Sequence, residues 1–507
     1  AAGQSEPITT RLKNLLKDYP ADISMFKEMV QNADDAGATE VHFVWDWRQH
    51  RKQSLLTPDM DRWQGPSLWI FNNAQFTTKD FDSICRLGVG GKREQQRKIG
   101  RFGLGFNSVY NFTDLPSILS GDMVLFLDPH VHHLSAMGAS VQKPGIKLRF
   151  LKINVLEKFR DQFEPYHGML GCDLSSSNPF EGTLIRVPFR SPEVAKASEV
   201  SSIQLDSGAA EMLSTRFQKE AFQWLLFLQS VSKIRLSEIR EGDASMHCLS
   251  EVKLMPPSVH SVLNGEEKQS NGDGGDDGDG GDVKPREPPV DAKPQRVSAI
   301  GSDGVVADVL ISTESFGSSP YQRCLSYRLV GGQNCGVSEQ VCAALPLAAA
   351  SSSPKDQVKL RHEEGRLFCF LPLPPSAVSL RVPMHVHAPL NTTQDRRNVL
   401  LDNRVGDNEI VSKNVRLLDA RIPECLTRCA INLSNLATPE DFFSVFPVLH
   451  RNAGAGAGET QRKDALPEVG AADRVAHSFY RLLIRRTEPI FPTASADSMK
   501  KCIMCSL

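Results

Sequence analysis

Apolar and polar side chains alternate with a helical period between residues 23 and 36. At about 100° per residue, the positions that share one apolar stripe are Ile23, Phe26, Val30 and Ala33. A second stripe, roughly 60° wide at that rotation, carries Glu28, Asn32 and Asp35. The pattern predicts a helix that packs with one face and presents an acid, a carboxamide and a second acid on the other.

The polar stripe has chemistry that suits a magnesium–nucleotide site. Mg²⁺ carried on ATP keeps most of its waters and accepts only one or two protein oxygens, so the Asn32 side chain is a sufficient anchor. One turn earlier, Glu28 is placed to orient and deprotonate an attacking water. The alternative is an amphipathic surface helix with a solvated acidic face, and this segment alone leaves both interpretations open.

Glycines cluster before a second predicted helix. Gly100, Gly103 and Gly105 precede residues 106–110, and glycine permits close approaches that a Cβ would block. A helix N-terminus offers unpaired N–H groups to an anion, so the segment suits phosphates, although a lone glycine cluster can equally be a tight turn. Residues 86–101 carry six basic side chains, which predict a mobile basic lid, with a solvated loop as the alternative.

Four segments in this order resemble the GHKL ATPases, the superfamily of gyrase, heat-shock-ninety chaperones, histidine kinases and MutL. They are the motif from Glu28 to Ala36, residues 67–74, residues 100–108 and residues 182–186. In closer detail, residues 31–41, 65–68, 100–110 and 120–129 resemble a sacsin repeat, a chaperone-related unit with heat-shock-ninety-like modules. The motifs cover about residues 5–190 and, more loosely, 215–435.

The resemblance implies ATP and Mg²⁺ as ligands. It makes Glu28 the general base, Asn32 the Mg²⁺ ligand and Asp35 an acid at the pocket floor. Gly103 and Gly105 would bind phosphates, and Thr183 would contact the adenine base of the nucleotide through a water. The full set of nucleotide-binding residues that it implies is Asn32, Asp35, Asn72, Lys98, Arg101, Gly103, Gly105, Phe106 and Thr183.

Two further segments concern adenine recognition and catalysis. Where the superfamily opens an Asp-x-Gly-x-Gly turn, this chain has Asn72 and no glycine in residues 73–76. Asn72 can accept from an exocyclic amine but supplies no charge, so modest affinity or another nucleotide preference is expected.

Residues 390–398 resemble the heat-shock-ninety segment whose arginine reaches the terminal phosphate, which implies catalytic roles for Arg396 and Arg397. A solvated surface pair is the alternative.

Composition predicts several domains in a soluble chain. At 507 residues with 40% hydrophobic residues, two or three cores are expected. The fold prediction is a GHKL (Bergerat-type) two-layer α/β sandwich over residues 5–200, then an α/β middle domain over 210–435 with a disordered acidic insertion at 264–296. Residues 436–507 are predicted to be a linker and the start of a further, truncated segment.

Secondary structure is predicted from the same patterns. Helices are expected near 8–19, 23–36, 78–87, 105–112, 210–228, 408–435 and 476–485. Strands are expected near 40–46, 67–72, 123–127, 148–153, 182–189, 233–236, 248–254, 305–312, 324–330, 366–374 and 381–387. The resemblance implies that the first sheet is mixed and largely antiparallel.

Charge and cysteine content bear on partners and location. A formal net charge of −2 gives no electrostatic reason to expect nucleic acid or an anionic membrane as the main partner. No apolar run approaches a membrane span, and residues 1–7 lack the apolar core of a signal peptide. Eleven irregularly spaced cysteines favour free thiols in a reducing compartment, and Cys425 and Cys429 are expected to be packed. A cytoplasmic location is therefore predicted.

The sequence as a whole predicts an ATP-binding, slowly hydrolysing, chaperone-like module in protein folding or quality control, with client proteins or co-chaperones as partners. The open alternative is a non-hydrolysing scaffold or nucleotide-sensing interaction module, so the sequence favours a weak Mg²⁺-dependent ATPase without deciding that it is an enzyme. A histidine kinase would need a phosphoacceptor helix before the ATP domain, and a DNA-topology ATPase would need a basic transducer surface. The sequence favours neither.

Overall fold

One continuous mixed sheet runs through the chain in the computed structural model. The structure describes residues 6–85, 105–150, 155–175, 178–254, 305–315, 321–329, 341–347, 360, 364–374, 377–378, 380, 382–393, 397–401, 408–433, 439–447 and 471–485. Outside these ranges lie the whole predicted basic lid (86–101), the predicted insertion, and the candidate residues Lys98, Arg101, Gly103 and Arg396.

The sheet has fourteen strands within the described residues. In chain order they are β1 Glu40–Asp46, β2 Ser67–Asn72, β3 Ser117–Gly121, β4 Met123–Leu127, β5 Gly145–Arg149, β6 Phe180–Pro188, β7 Lys233–Ile239, β8 His247–Leu254, β9 Val305–Ser315, β10 Tyr321–Leu329, β11 Val341–Leu347, β12 Leu367–Cys369, β13 Leu371–Pro372 and β14 His385–His387. Their order across the sheet is β13-β12-β14-β11-β10-β9-β8-β7-β1-β2-β6-β3-β4-β5. Neighbours pair antiparallel, except that β1 pairs parallel with β7 and β12 pairs parallel with β14.

Helices cover the sheet and fill its connections. The α-helices are α1 Ile8–Leu16, α2 Ser24–Asp35, α3 Thr78–Ile84, α4 Val155–Lys158, α5 Arg160–Phe163, α6 Pro192–Ala197, α7 Ser207–Trp224, α8 Asn408–Arg416, α9 Ile422–Leu433, α10 Pro439–Ser444 and α11 Ala471–Ile484. Local sequence explains two of the starts: Thr77 and Asp80 form a capping box at α3, and the Asp206 side chain accepts from the backbone N–H of Ala209 at α7 (2.8 Å).

Strand alternation separates two cores on the two faces of β1–β6. The face that we call the α2 face packs beneath α1, α2 and α7 and includes Phe43, Ile70, Ile118 and Ile185. The opposite face, which we call the outer face, includes Val44, Trp69, Leu119 and Leu184. Successive side chains of a strand point to opposite faces, so the position of any strand residue follows from these two sets.

The outer face holds a buried polar cluster around Asp46. The Asp46 carboxylate accepts from Trp69 Nε1 (3.0 Å) and from Arg48 Nε and Nη2 (2.8 Å each). Arg186, fully enclosed, donates to the carbonyls of Trp63 (2.7 Å) and Gly65 (3.0 Å) and lies 5.6 Å from the Trp69 ring centre. Burial raises the pKa of Asp46, but the hydrogen bonds and charge of Arg48 outweigh it and hold that pKa below its ordinary value.

A separate core lies in the later part of the chain. It joins β11 and β14 to the helical stretch from α8 to α11, with Leu417, Ile422, Leu426 and Phe479 at its centre. Cys425 and Cys429 are buried in it, as predicted. Burial raises the pKa of the Cys429 thiol to about 12, which is typical of an inert, packed cysteine.

The predicted α/β class and its largely antiparallel sheet are confirmed, and all four apolar positions of α2 are buried. The helix predicted at 105–112 is a 3₁₀ helix, Gly105–Asn111. The strand predicted at 148–153 begins earlier, at Gly145, because its pairing with β4 runs from Leu127 opposite Gly145 to Met123 opposite Arg149. Strands β3 and β11 were absent from the sequence prediction. The predicted domain boundaries stay a prediction.

Candidate nucleotide-binding site

The candidate residues converge at one end of the sheet, on the α2 face. Helix α2 ends at Asp35, and a turn through Gly37 (φ +79°) leads into the first residues of β1. The last residue of β2, Asn72, pairs with Val41 on one side and with Thr183 of β6 on the other. Thr183 in turn pairs with Ser120 of β3. Alternation puts Asn72, Ser120 and Thr183 on the face that α2 covers.

Glu28 is the buried acid of the polar stripe, 8% exposed. Its carboxylate lies directly against Gly105, the first residue of the 3₁₀ helix: a methyl group at position 105 would overlap a Glu28 carboxylate oxygen. The Ser108 hydroxyl donates to the Gly105 carbonyl (2.7 Å) and closes the first turn of that helix. A side chain at position 105 would therefore force the acid or the 3₁₀ helix to move, and the fold brings the two sequence motifs together.

The other two members of the stripe are more accessible than Glu28. Asn32 and Asp35 lie one and two turns farther along α2 and are partly exposed. Phe106, the next candidate residue, is buried in the core between α2 and the 3₁₀ helix, where it is 8% exposed. The stripe thus has an enclosed acid at one end and an accessible carboxamide and acid at the other.

Asn72 and Thr183 hold the turn that follows β2. The Asn72 side-chain oxygen accepts from the backbone N–H of Ala74 (3.1 Å), and the Thr183 hydroxyl donates to the Ala74 carbonyl (2.7 Å). The Ser120 hydroxyl oxygen lies 3.0 Å from that of Thr183 and accepts from the N–H of Phe76 (2.9 Å). Asn72 and Thr183, the two residues predicted to lie beside the adenine, therefore already have intramolecular partners. These contacts position the loop over the ends of strands β2 and β6.

Asp34 has a role that the sequence did not reveal. Its buried carboxylate accepts from three successive backbone N–H groups of the loop before β7, those of Gln229 (2.9 Å), Ser230 (2.7 Å) and Val231 (2.8 Å). We call this contact the Asp34 clasp. The only signal in the sequence was its place inside the Asn32–Asp35 motif, since its donors are backbone groups almost two hundred residues away.

A buried ion pair supports the far end of the 3₁₀ helix. Arg190 donates to the Asp114 carboxylate (2.6 Å) and to the carbonyls of Tyr110 (2.6 Å) and Asn111 (2.7 Å). These carbonyls end the helix that begins at Gly105, so the pair fixes its position. Burial raises the pKa of the Tyr110 phenol well above its ordinary value, keeping it neutral. Sequence analysis did not single out Arg190 or Asp114.

The predicted catalytic arginines are not brought into this group by the described structure. Arg397 is exposed, on a turn where the Thr393 N–H donates to the Asn398 carbonyl (2.9 Å). Arg396 lies outside the described residues. Their catalytic role stays a prediction, as do the roles of Lys98, Arg101 and Gly103.

Fold and site together define the class: an α/β protein with a mixed, largely antiparallel sheet, in which an acid–carboxamide–acid helix lies over the strand ends and a glycine lies against its buried acid. A solved structure, the crystal structure of the N-terminal domain of a DNA repair protein, aligns with 81% of this chain and 99% of its own, at 10% identity and a TM-score of 0.32. Within the described ranges, no helix has both the length and the apolar character needed to cross a bilayer.

Residues 5–251 match the model of the Sacsin domain family. Human sacsin is 41% identical over 246 residues, which are 47% of this chain and 5% of that protein. Residues 5–251 therefore form a Sacsin domain, and the predicted sacsin-type identity is confirmed over that region. The chain spans only a small part of the length of its human relative.

Proposed function

We propose that the Sacsin domain binds Mg²⁺-ATP against α2 and hydrolyses it slowly, as a chaperone-like module. The observation that carries the proposal is the seating of the Glu28 carboxylate against Gly105. An acid used as a general base must be fixed within hydrogen-bond reach of its water. Here the acid is buried and lies against a backbone position that has no side chain.

The remaining residues fit particular parts of the nucleotide. Asn32 and Asp35 are accessible beside the enclosed acid. The loop after β2, held by Asn72 and Thr183, forms the wall at the strand ends where a base would lie. Asn72 retains its amide N–H groups and a second lone pair for a ligand, although its oxygen already accepts from Ala74.

The donor set suits a metal that arrives with the nucleotide. Among the described residues, no group of three or more His, Cys, Asp or Glu side chains is arranged to hold a metal ion. Mg²⁺ on ATP requires only one or two protein oxygens, and the partly exposed Asn32 carboxamide provides one. When bound, the metal would neutralise phosphate charge, while Glu28 holds and deprotonates the water.

One observation favours a second candidate function, a scaffold or nucleotide sensor that does not hydrolyse ATP. Asn72 carries no charge, and both its oxygen and the Thr183 hydroxyl have partners within the protein. An adenine would have to share or displace these contacts, which lowers the expected affinity. The two candidates differ in turnover, and binding has to be measured first.

Calorimetric titration of the 507-residue chain with ATP, with and without Mg²⁺, tests binding. We expect binding that is tighter with Mg²⁺ and that loses this dependence in Asn32→Ala. The matched control is Asn14→Ala, because Asn14 is an exposed asparagine on α1 whose side chain bonds only to exposed neighbours. Absence of heat at millimolar ATP, in protein with an intact circular dichroism spectrum, would overturn the proposal.

Turnover is tested with Glu28→Ala after binding is established. If Glu28 is the general base, the variant should still bind ATP. Its turnover rate should fall by roughly 10²- to 10⁴-fold, which is the contribution typical of such a base. Equal turnover in wild type and variant would remove Glu28 from the mechanism. Binding without measurable turnover in the wild type would select the sensor function.

The setting that we propose is chaperone-like protein folding or quality control in the cytoplasm, with client proteins or co-chaperones as partners. It is supported by the Sacsin domain match and by nothing finer. A light-scattering assay of an aggregating substrate protein, run with and without Mg²⁺-ATP, tests it. Protection that depends on ATP in the wild type and is lost in Asn32→Ala is the expected result, and protection equal in both would separate the chaperone role from the pocket.

A further inference from the structure

Helix α2 is attached to the rest of the molecule by polar contacts at its two ends. Near its start, Lys27 Nζ donates to Glu220 of α7 (2.8 Å) and lies 5.7 Å from the Trp224 ring centre. At its last turn, the Asp34 clasp holds the loop from Gln229 to Val231. The two contacts lie on one side of the helix, beside the stripe that carries the candidate nucleotide residues.

Between these two attachments, the same side of α2 makes no polar contact with the residues that the structure describes. Gln31 is fully buried, and neither its amide nitrogen nor its amide oxygen has a hydrogen-bond partner in the described structure. The turn that carries Asn32 and Asp35 therefore takes its polar attachment on this side from Asp34. A carboxylate bound by three backbone N–H groups is a strong attachment, because each bond is charge-assisted.

The loop that Asp34 grips is itself fixed. At its end, the Ser232 N–H donates to the Thr39 carbonyl (2.8 Å), next to the start of β1. At its beginning, Phe227 packs edge-on against Phe368 of β12 (4.8 Å between ring centres) and stacks on His387 of β14 (5.6 Å). A fixed loop can set the position of a helix turn, whereas a free loop would only follow it.

We propose that Asp34 is a positioning residue for the candidate nucleotide site: through the clasp it holds the last turn of α2, and so aims the Asn32 carboxamide at the metal-bearing phosphates. The inference rests on the proposed function. It assigns the specificity for the metal-loaded nucleotide to a residue that does not touch the ligand. Partners behind a metal ligand typically change metal affinity by about 10- to 100-fold when they are removed.

Asp34→Asn tests this, with Asp206→Asn as the matched control. Asp206 is also an aspartate whose carboxylate accepts a backbone N–H, at the start of α7 (2.8 Å). ATP affinity is measured by calorimetry with and without Mg²⁺ for both variants and the wild type. We expect Asp34→Asn to lose about 10- to 100-fold in the presence of Mg²⁺ and much less in its absence, and Asp206→Asn to change neither.

Amide hydrogen exchange at residues 229–231 shows whether the clasp is broken in Asp34→Asn. Faster exchange there, together with the Mg²⁺-dependent loss, supports the inference. Faster exchange with wild-type affinity in Mg²⁺, or an equal loss with and without Mg²⁺, overturns it and leaves Asp34 with a structural role alone.

If Asp34→Asn does not fold, Asp34→Glu serves instead, because it keeps the charge and displaces the carboxylate by one methylene. The same Mg²⁺-dependent loss is expected at smaller size, and its absence overturns the inference. A wild-type chain that does not bind ATP at all overturns the proposed function, and this inference with it. If the wild type binds ATP and the Asp34 variant binds it with the same affinity, the role of Asp34 is overturned and the proposed function stands.

Discussion

The two faces of the β1–β6 sheet both bury charged side chains, but they use them differently. On the outer face, the Asp46 carboxylate accepts from Arg48 and Trp69, and the Arg186 guanidinium donates to the carbonyls of Trp63 and Gly65. On the α2 face, Glu28 lies against a glycine at the strand ends, and its neighbours on the helix stripe are accessible. Burial of charge alone therefore does not mark a functional site.

What distinguishes the faces is what the buried polar groups contact. On the outer face, Asp46 and Arg186 have their partners within the protein, as enclosed polar groups must. On the α2 face, the stripe that begins at Glu28 continues to Asn32 and Asp35, which are partly exposed and can be approached by a ligand. We therefore expect changes on the outer face to affect stability without affecting nucleotide affinity, and changes on the α2 face to affect both.

The largest effect is expected for Asp46→Ala on the outer face. It removes the carboxylate that accepts from Trp69 and Arg48 and whose negative charge stabilises the enclosed Arg186 guanidinium. The free energy of unfolding, measured in urea, should fall by about 3 to 5 kcal/mol. Asp46→Asn, which keeps an acceptor for Trp69, should lose less. Reduced ATP affinity in the folded fraction would contradict the separation of the faces.

The second-largest effect is expected from low pH, which should destabilise the outer face. Burial lowers the pKa of His42 from 6.5 to about 3, with a further contribution from Arg235. Below pH 6.5 the unfolded chain binds a proton that folded His42 does not, so stability falls as the pH drops from about 6.5 towards 3. The slope approaches about 1.4 kcal/mol per pH unit below pH 6, so the loss between pH 6.5 and 4.5 is about 2 kcal/mol.

His42→Gln should remove this part of the pH dependence while keeping a partner for the Ser237 hydroxyl, which lies 2.8 Å from His42 Nε2. Urea unfolding at pH 7 and at pH 4.5 measures it. His50, whose pKa burial and Arg186 lower to about 4, should retain its own share of the slope. An unchanged slope in the variant would show that His42 does not titrate as expected.

Gly105→Ala is expected to cost about 1 to 3 kcal/mol, as overpacking does, and to weaken ATP binding as well. The added methyl group would overlap the Glu28 carboxylate, so the acid or the 3₁₀ helix must move. Gly208→Ala is the matched control, because there the methyl group meets only the Asp206 carboxylate oxygen at 3.5 Å. The control should be neutral or slightly stabilising. Equal effects of the two would argue against a fixed Glu28.

The smallest effect is expected from one substitution made on each face. Thr183→Val removes a hydroxyl that donates to the Ala74 carbonyl (2.7 Å), and Thr57→Val on the outer side removes one that donates to the His133 carbonyl (2.6 Å). Each should lower the free energy of unfolding by about 1 kcal/mol. Only Thr183→Val should also change ATP affinity by calorimetry. A similar change of ATP affinity in Thr57→Val would contradict the expected difference between the two faces.

The sequence predicted best what depends on local periodicity. Helix α2 and its apolar stripe follow from spacing alone, and strands β1 and β2 lie where alternation and β-branched or aromatic residues placed them. The helix after Gly105 was predicted, but its 3₁₀ form was not. The closeness of the Glu28 and glycine motifs was implied by the resemblance, whereas their direct contact is visible only in the folded structure.

Polar partners distant in sequence were not predictable. Asp34 pairs with backbone groups of residues 229–231, and any residue type there would offer the same N–H groups. Ser120 lay at the start of the segment 120–129 that resembles a sacsin repeat, yet its hydroxyl is one of three groups that hold the loop after β2. Such partners are set by the closure of the sheet, which leaves no periodic trace in the chain.

The parallel pairing of β1 with β7 joins residues 40–46 to residues 233–239 and sets the order of events during synthesis. At about 5 to 20 residues per second, β1 leaves the ribosome on the order of 10 to 40 seconds before the strand that covers its free edge. During that interval β1 presents unpaired backbone groups and the apolar side chains of a central strand, which is the form of a strand most prone to association with other chains. During that time the nascent domain is therefore itself a potential client of chaperones that bind unfolded chains.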